Sequence, residues 1–115
     1  MYRTDDEREA ARRAYRSLSE AAEVYPGFTS IELHRAMAAV AACDETQARE
    51  ALGRAAYSGE SRKTSLVAVE LALRTGDDSE RAAAKAHVQR LSASPQSAGD
   101  PWVAAIARDL EARCP

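Results

Sequence analysis

The residues of this chain best equipped for chemistry are few and scattered. A nucleophilic or metal-assisted reaction needs convergent groups: a nucleophile beside its base, two carboxylates at working distance, or several His, Cys, Asp and Glu at ligand spacing. His34 and Cys43 stand nine residues apart in one helical pattern, which turns them to opposite faces, and His87 has no neighbour at ligand spacing. Both histidines therefore read as structural or surface residues. The acidic runs Asp5-Asp6-Glu7 and Asp77-Asp78 each stand at a helix start, where carboxylates complement the free N–H groups, so capping accounts for them without a cation. Every glycine is isolated, which leaves no phosphate-cradling loop. The expectation is a chain with no catalytic residue, no metal and no cofactor, and an enzyme is the third-ranked reading.

The basic residues offer binding instead. Arg8, Arg12 and Arg16 follow one another at four-residue spacing with Arg13 beside them, drawing a stripe along the first helix where a protein partner could dock. Glu7, Glu9 and Glu20 are placed to neutralise the same stripe. A second set supports DNA binding as the alternative: FTSIELHRAM followed by DETQAREALGRAAYSGESRK reads as a helix-turn-helix over residues 29–63. Its second helix would present Gln47, Arg49 and Arg54 to bases, with Arg62 and Lys63 for phosphates. Against it stand a long first helix, the absence of a following wing of strands, and 16 basic against 18 acidic side chains, a net charge of -2.

The elements that must position these residues are helices. Ala occurs 26 times, and cap residues recur with a partner three places on. Thr4 with Glu7 opens helix 1 over about 5–25, which Pro26-Gly27 stops. Thr29 with Glu32 opens helix 2, and Phe28 is placed to staple onto Leu33. Asp44 with Gln47 opens helix 3 after a tight corner, and Gly59 ends it; ESRKTS then reads as a loop. Helix 4, SLVAVELALRT, is apolar almost all round and stops at Gly76, so it should be the most buried element. Asp77 with Glu80 opens helix 5, SASPQSAG is the longest unstructured stretch, and Asp100-Pro101 opens a last helix over about 101–112 with Trp102, Val103, Ile106 and Leu110 on its apolar side. The expected fold is all-α: one domain over 1–115, with about six short helices packed as antiparallel hairpins over about 30–59 and 65–92, either repeat-like or an irregular bundle.

The two hairpins superpose at an offset of about 34 residues, with Met37 on Leu71, Asp44 on Asp78 and Ala48 on Ala82. GDDSERAAAKA resembles the turn and second helix of a tetratricopeptide repeat, and DPWVAAIARDL resembles the Asp-Pro-x-Val start of a HEAT helix. The resemblance covers roughly residues 30 to 112, lacks the tetratricopeptide aromatics and leaves helix 1 without a counterpart. It implies stacked hairpins that offer a groove or face to another protein, as in adaptors, secretion chaperones or small inhibitors.

Two cysteines are too few for a disulfide framework; Cys43 reads as a small core residue and Cys114 as a free thiol on a frayed end. The polar N-terminus and the lack of a long apolar run lead us to expect a cytoplasmic chain without membrane contact, and the Ala and Arg bias fits a GC-rich bacterial or phage genome. With Trp102 and five other aromatic residues the core is thin. Some apolar surface, expected beside helix 6, should be covered by a protein partner or by self-association into a homo-oligomer.

Overall fold

Side-chain caps set where most of the helices begin. The Thr4 hydroxyl accepts from the Glu7 N–H (3.2 Å) while the Glu7 carboxylate accepts from the Thr4 N–H (3.0 Å). This reciprocal box opens α1 (Asp5–Val24). Asp44 accepts from the Gln47 N–H at 3.1 Å at the start of α3 (Glu45–Tyr57). Asp77 and Glu80 close a second box at the start of α5 (Asp78–Ala93). Asp100 accepts from the Trp102 N–H at 2.8 Å ahead of α6 (Pro101–Arg108). With α2 (Thr29–Ala41) and α4 (Arg62–Thr75) these make six helices and no strand among the residues described by this computed structural model, 2–57 and 61–115.

Three boundaries differ from the sequence reading. At α2, Phe28 and not Thr29 occupies the cap position and makes no side-chain cap bond; its ring is 59% exposed, so it staples nothing. At α4, the helix begins inside ESRKTS: the Ser61 hydroxyl accepts from the Thr64 N–H and the Thr64 hydroxyl accepts from the Ser61 N–H (2.8 Å), a box built with Thr in place of Glu. Arg62 and Lys63 are thereby first-turn residues of a helix. Residues 94–100 are hydrogen-bonded turns, with Ala98 N–H donating to the Ser94 carbonyl at 2.8 Å and Ser97 buried. The last helix ends four residues short of the expected 112, at Arg108, and Gly59, expected to end helix 3, lies outside the described residues.

Helix α2 lies at the centre, packed on α1, α3 and α4, while α5 bridges α4 and α6. Short connections between packed neighbours make them antiparallel, so the ends of the elements fall into two groups. One end gathers the last turns of α1 and α3, the first turns of α2 and α4, and turn 94–100. The other gathers the α2–α3 and α4–α5 corners and both chain termini. Between the ends run two apolar clusters, one around Leu33, Val40, Val67 and Leu71 and one around Leu66, Leu73, Val88 and Ile106, with Trp102 packed against both. Ala36, Ala48, Ala51 and Ala55 have no exposed surface. Methyl-sized side chains let α2 and α3 approach closely, and each buried Leu or Val adds about 1.5–3 kcal/mol. Helix α4 contributes six buried residues, the most of any helix. Its C-cap is Gly76, where a Cβ would lie 2.4 Å from the Ala72 carbonyl oxygen, so only glycine fits without a shift.

The end that holds the termini is stapled. Cys43 and Cys114 form a disulfide across 71 positions of sequence, correcting both the core-residue and the free-thiol readings. Cys43 closes α2 in a Schellman turn, its own N–H bonded to the Val40 carbonyl and that of Asp44 to the Ala39 carbonyl (2.9 Å). Its φ of 60° is the left-handed conformation that favours glycine and costs another residue about 1–2 kcal/mol. The tail is gripped further by two buried arginines. Arg74, 2% exposed, donates to the carbonyls of Asp109 (2.6 Å) and Ala112 (2.9 Å) and stacks on the Tyr2 ring. Arg81 donates to the carbonyls of Leu73 (3.0 Å) and Glu111 (3.3 Å). Backbone bonds from Cys114 to Arg74 and from Tyr2 to Arg113 complete the grip, and the Tyr2 hydroxyl bonds to Glu70.

Candidate interaction surface

Helix α1 has no buried residue, so its basic stripe lies on the surface, where the four arginines differ in how free they are. Arg8 is largely covered; it pairs with Asp5 and donates to the Arg3 carbonyl at 2.7 Å. Arg12 and Arg16 share Glu9, at 2.9 and 3.7 Å. This pairing holds the Glu9 carboxyl below its ordinary range, chiefly through the Arg12 hydrogen bond. Arg13 is exposed and has no ion pair among the described residues. Glu7 is spent on the Thr4 cap and on Arg3, and Glu20 pairs with none of the stripe. Exposed pairs of this kind contribute roughly 0–1 kcal/mol each.

The residues singled out for DNA are engaged within the bundle. Gln47 Oε1 accepts from the Tyr15 hydroxyl at 2.7 Å, and Arg54 Nε donates to Glu32 Oε2 at 2.7 Å. Glu32 is 4% exposed and also binds Arg35 at 2.9 Å, while Arg35 lies over the Tyr15 ring. One network thus joins α1, α2 and α3. It explains why Glu32 does not cap α2: its carboxylate is turned inward to two guanidiniums, and the Glu32 hydrogen bond raises the basicity of Arg54. Arg49 pairs with Glu45 (2.9 Å) and Glu80 (3.8 Å). Arg62 reaches turn 94–100, donating to Asp100 (2.6 Å) and Ser97 (3.2 Å), and Lys63 is exposed. Gln47 and Arg54 are thus held by residues of α1 and α2, and Arg62 by turn 94–100, so three of the five side chains expected at DNA are bonded to distant parts of the bundle.

Between α3 and α4 lies an open cleft of about 570 Å³ with Leu52 and Leu71 in its lining, walls of Gly53, Ala56, Ala68 and Ala72, and the Arg49–Glu80 pair at one end. Among the described residues no three His, Cys, Asp or Glu gather closely enough to hold a metal ion. His34 is exposed and its Nδ1 lies 2.7 Å from the Ser30 carbonyl; the half-buried His87 neighbours only Arg90 among charged groups within hydrogen-bond reach.

Four of the large apolar side chains left exposed stand at the end opposite the staple. Val24, Tyr25, Phe28 and Tyr57 are 69%, 64%, 59% and 94% exposed. The Glu32–Arg54 bond fixes their level: Phe28 stands one turn before Glu32 on α2, and Tyr57 one turn after Arg54 on α3, so both rings rise beyond the same ion pair. Tyr25 adjoins them through the turn in which the Phe28 N–H donates to its carbonyl. Sequence reasoning gave Phe28 to a staple. It also expected exposed apolar surface beside the last helix, where Val103 and Ile106 are in fact buried. These side chains stand on the final residues of α1 and α3 and just ahead of α2, a position that does not by itself tell whether a neighbour covers them. Comparison with protein-family models, with curated proteins and with solved structures gives no match for this chain. Among the described residues no helix is long and apolar enough to cross a membrane.

Proposed function

We propose that this chain is a noncatalytic interaction module that binds another protein through the aromatic end formed by Val24, Tyr25, Phe28 and Tyr57. The observation that carries the reading is the exposure of four large apolar side chains at one end of a bundle whose other end is sealed by a disulfide and two buried arginines. Exposed aromatic residues above a rigid base are typical anchors of protein interfaces, because they bury much area at small entropic cost. The adjoining Glu32 network ties α2 to α3 one turn below Phe28 and Tyr57. On this reading the arginine stripe on α1 contributes through Arg13 and Arg16, the members least engaged in pairs, and acts mainly on association rate.

The cytoplasmic location expected from the polar N-terminus has less support than an oxidising one, since disulfides persist chiefly in oxidising compartments. DNA binding also has less support, because Gln47 and Arg54 would have to leave internal partners to reach bases.

The test is capture of partners from a source lysate, with nuclease added, by the native chain, by a Phe28→Ser/Tyr57→Ser variant and by an Arg13→Ala/Arg16→Ala variant. Loss of a stoichiometric partner in the first variant, with a smaller loss in the second, supports the aromatic end. Equal capture by all three chains sinks it. Recovery of nucleic acid that weakens steeply with salt, once nuclease is omitted, would promote the DNA reading.

A further inference from the structure

We infer that the aromatic end is a self-complementary surface on which a second copy of this chain docks about a two-fold axis. The inference rests on the proposal that this end is a docking surface, and names the occupant. Helices α1 and α4 both pack on α2 and flank it, so the aromatic end has two distinct rims. On the α1 rim, Glu20 and Glu23 are exposed and have no ion-pair partner among the described residues. On the α4 rim stands Lys63, exposed and likewise unpaired, beside Arg62. Acid on one rim and base on the other, with apolar rings between, cannot be matched by a translated copy but is matched by a rotated one. A two-fold axis through Phe28 and Tyr57 sets the α1 rim of each copy against the α4 rim of the other. Each Lys63 then faces the partner's acidic pair, while the rings stack across the axis.

Area limits the strength of this pairing. The four exposed side chains supply roughly 400 Å² per copy, aromatic residues burying about 150–250 Å² each when fully covered. A standard interface needs about 800 Å² per partner. The rims must furnish the rest, so their charges decide whether the pairing forms, and the dimer is a weak, concentration-dependent one.

The experiment is sedimentation equilibrium of the oxidised chain over a wide concentration range at low and high salt. The native chain should show a reversible monomer–dimer equilibrium. Its Kd should rise about tenfold in Phe28→Ser or Tyr57→Ser and a few fold in Lys63→Glu. Mixing Lys63→Glu with a Glu20→Lys/Glu23→Lys chain should restore both rim contacts, one native and one with its charges reversed, and recover most of the affinity lost by either variant alone. A dimer unchanged by the serine variants uses another surface and overturns the inference. A monomer throughout also overturns it. If those same serine variants still lose a heterologous partner in lysate, the docking surface stands and only its occupant is wrong; if they lose nothing, both readings fail. Near-native circular dichroism of the variants guards against simple misfolding, and Tyr57→Ser, at a 94% exposed position, is the safest of them.

Discussion

The two ends of the bundle spend their side chains differently. At the terminal end, polar and covalent links converge on a tail with no regular structure: Arg74 and Arg81 hold three of its carbonyls and Cys114 is bonded to Cys43. At the aromatic end, regular helices stop with their last apolar residues uncovered, and the ion pairs there, Arg54 with Glu32 and Arg62 with Asp100, link the elements without covering those residues. An irregular segment can thus be more firmly tied than the end of a helix. Regularity satisfies a backbone's own hydrogen bonds, whereas anchoring depends on what the side chains reach.

That contrast can be broken by experiment, beginning with the disulfide. Reduction, or Cys43→Ser with Cys114→Ser, should lower unfolding free energy by about 4 kcal/mol, the chain-entropy value for a loop of this length. Hydrogen exchange should rise in residues 109–114 and stay unchanged around Tyr25 and Phe28; equal loosening of both ends would erase the distinction. Arg74→Ala should cost about 3 kcal/mol in denaturant unfolding, because it strips two tail carbonyls of their donor and leaves a cavity. Gly76→Ala should cost roughly 2 kcal/mol by forcing a methyl against the Ala72 carbonyl.

Acid should act at the aromatic end. The Trp102 backbone hydrogen bond holds the Asp100 carboxyl below its ordinary value of 3.8, with Arg62 adding to the effect. A depressed carboxyl stabilises the fold above its unfolded pKa, and the benefit is lost as pH falls through the folded value. Trp102 fluorescence should therefore report a change centred below pH 3.8, absent in Asp100→Asn. Phe28→Ser and Tyr57→Ser should leave stability within about 0.5 kcal/mol. A larger loss on thermal unfolding would make those rings part of the core and remove the docking surface.

Much of the fold was legible because helix starts are local. Thr4 with Glu7, Asp77 with Glu80, and Asp100 with Pro101 each carry their partners within three residues, and all three caps form. Thr29 with Glu32 follows the same local rule, yet that box does not form, because Arg35 and Arg54 draw the Glu32 carboxylate into the interior. The stapled end was not legible. A bond across 71 positions leaves no trace in spacing, a cysteine in the left-handed conformation breaks the rule that points to glycine there, and buried arginines defy the expectation that guanidiniums face water. The exposed rings were misassigned for the converse reason: an apolar residue at a helix end has no local mark that says whether a neighbour reaches it.

The staple also sets how the chain responds to tension. Residues 43 to 114 form a closed covalent loop, so a molecule pulled from its two ends pays out only residues 1–43 and the last residue. At about 3.5 Å per residue this releases roughly 150 Å, against roughly 400 Å once the bond is reduced. A translocating machine that grips the N-terminus would draw in α1 and α2 as a single strand and then meet a doubled chain carrying α3 to α6. Oxidation state thereby becomes a limit on threading: the same sequence can pass end to end through a narrow channel only after Cys43 and Cys114 have parted.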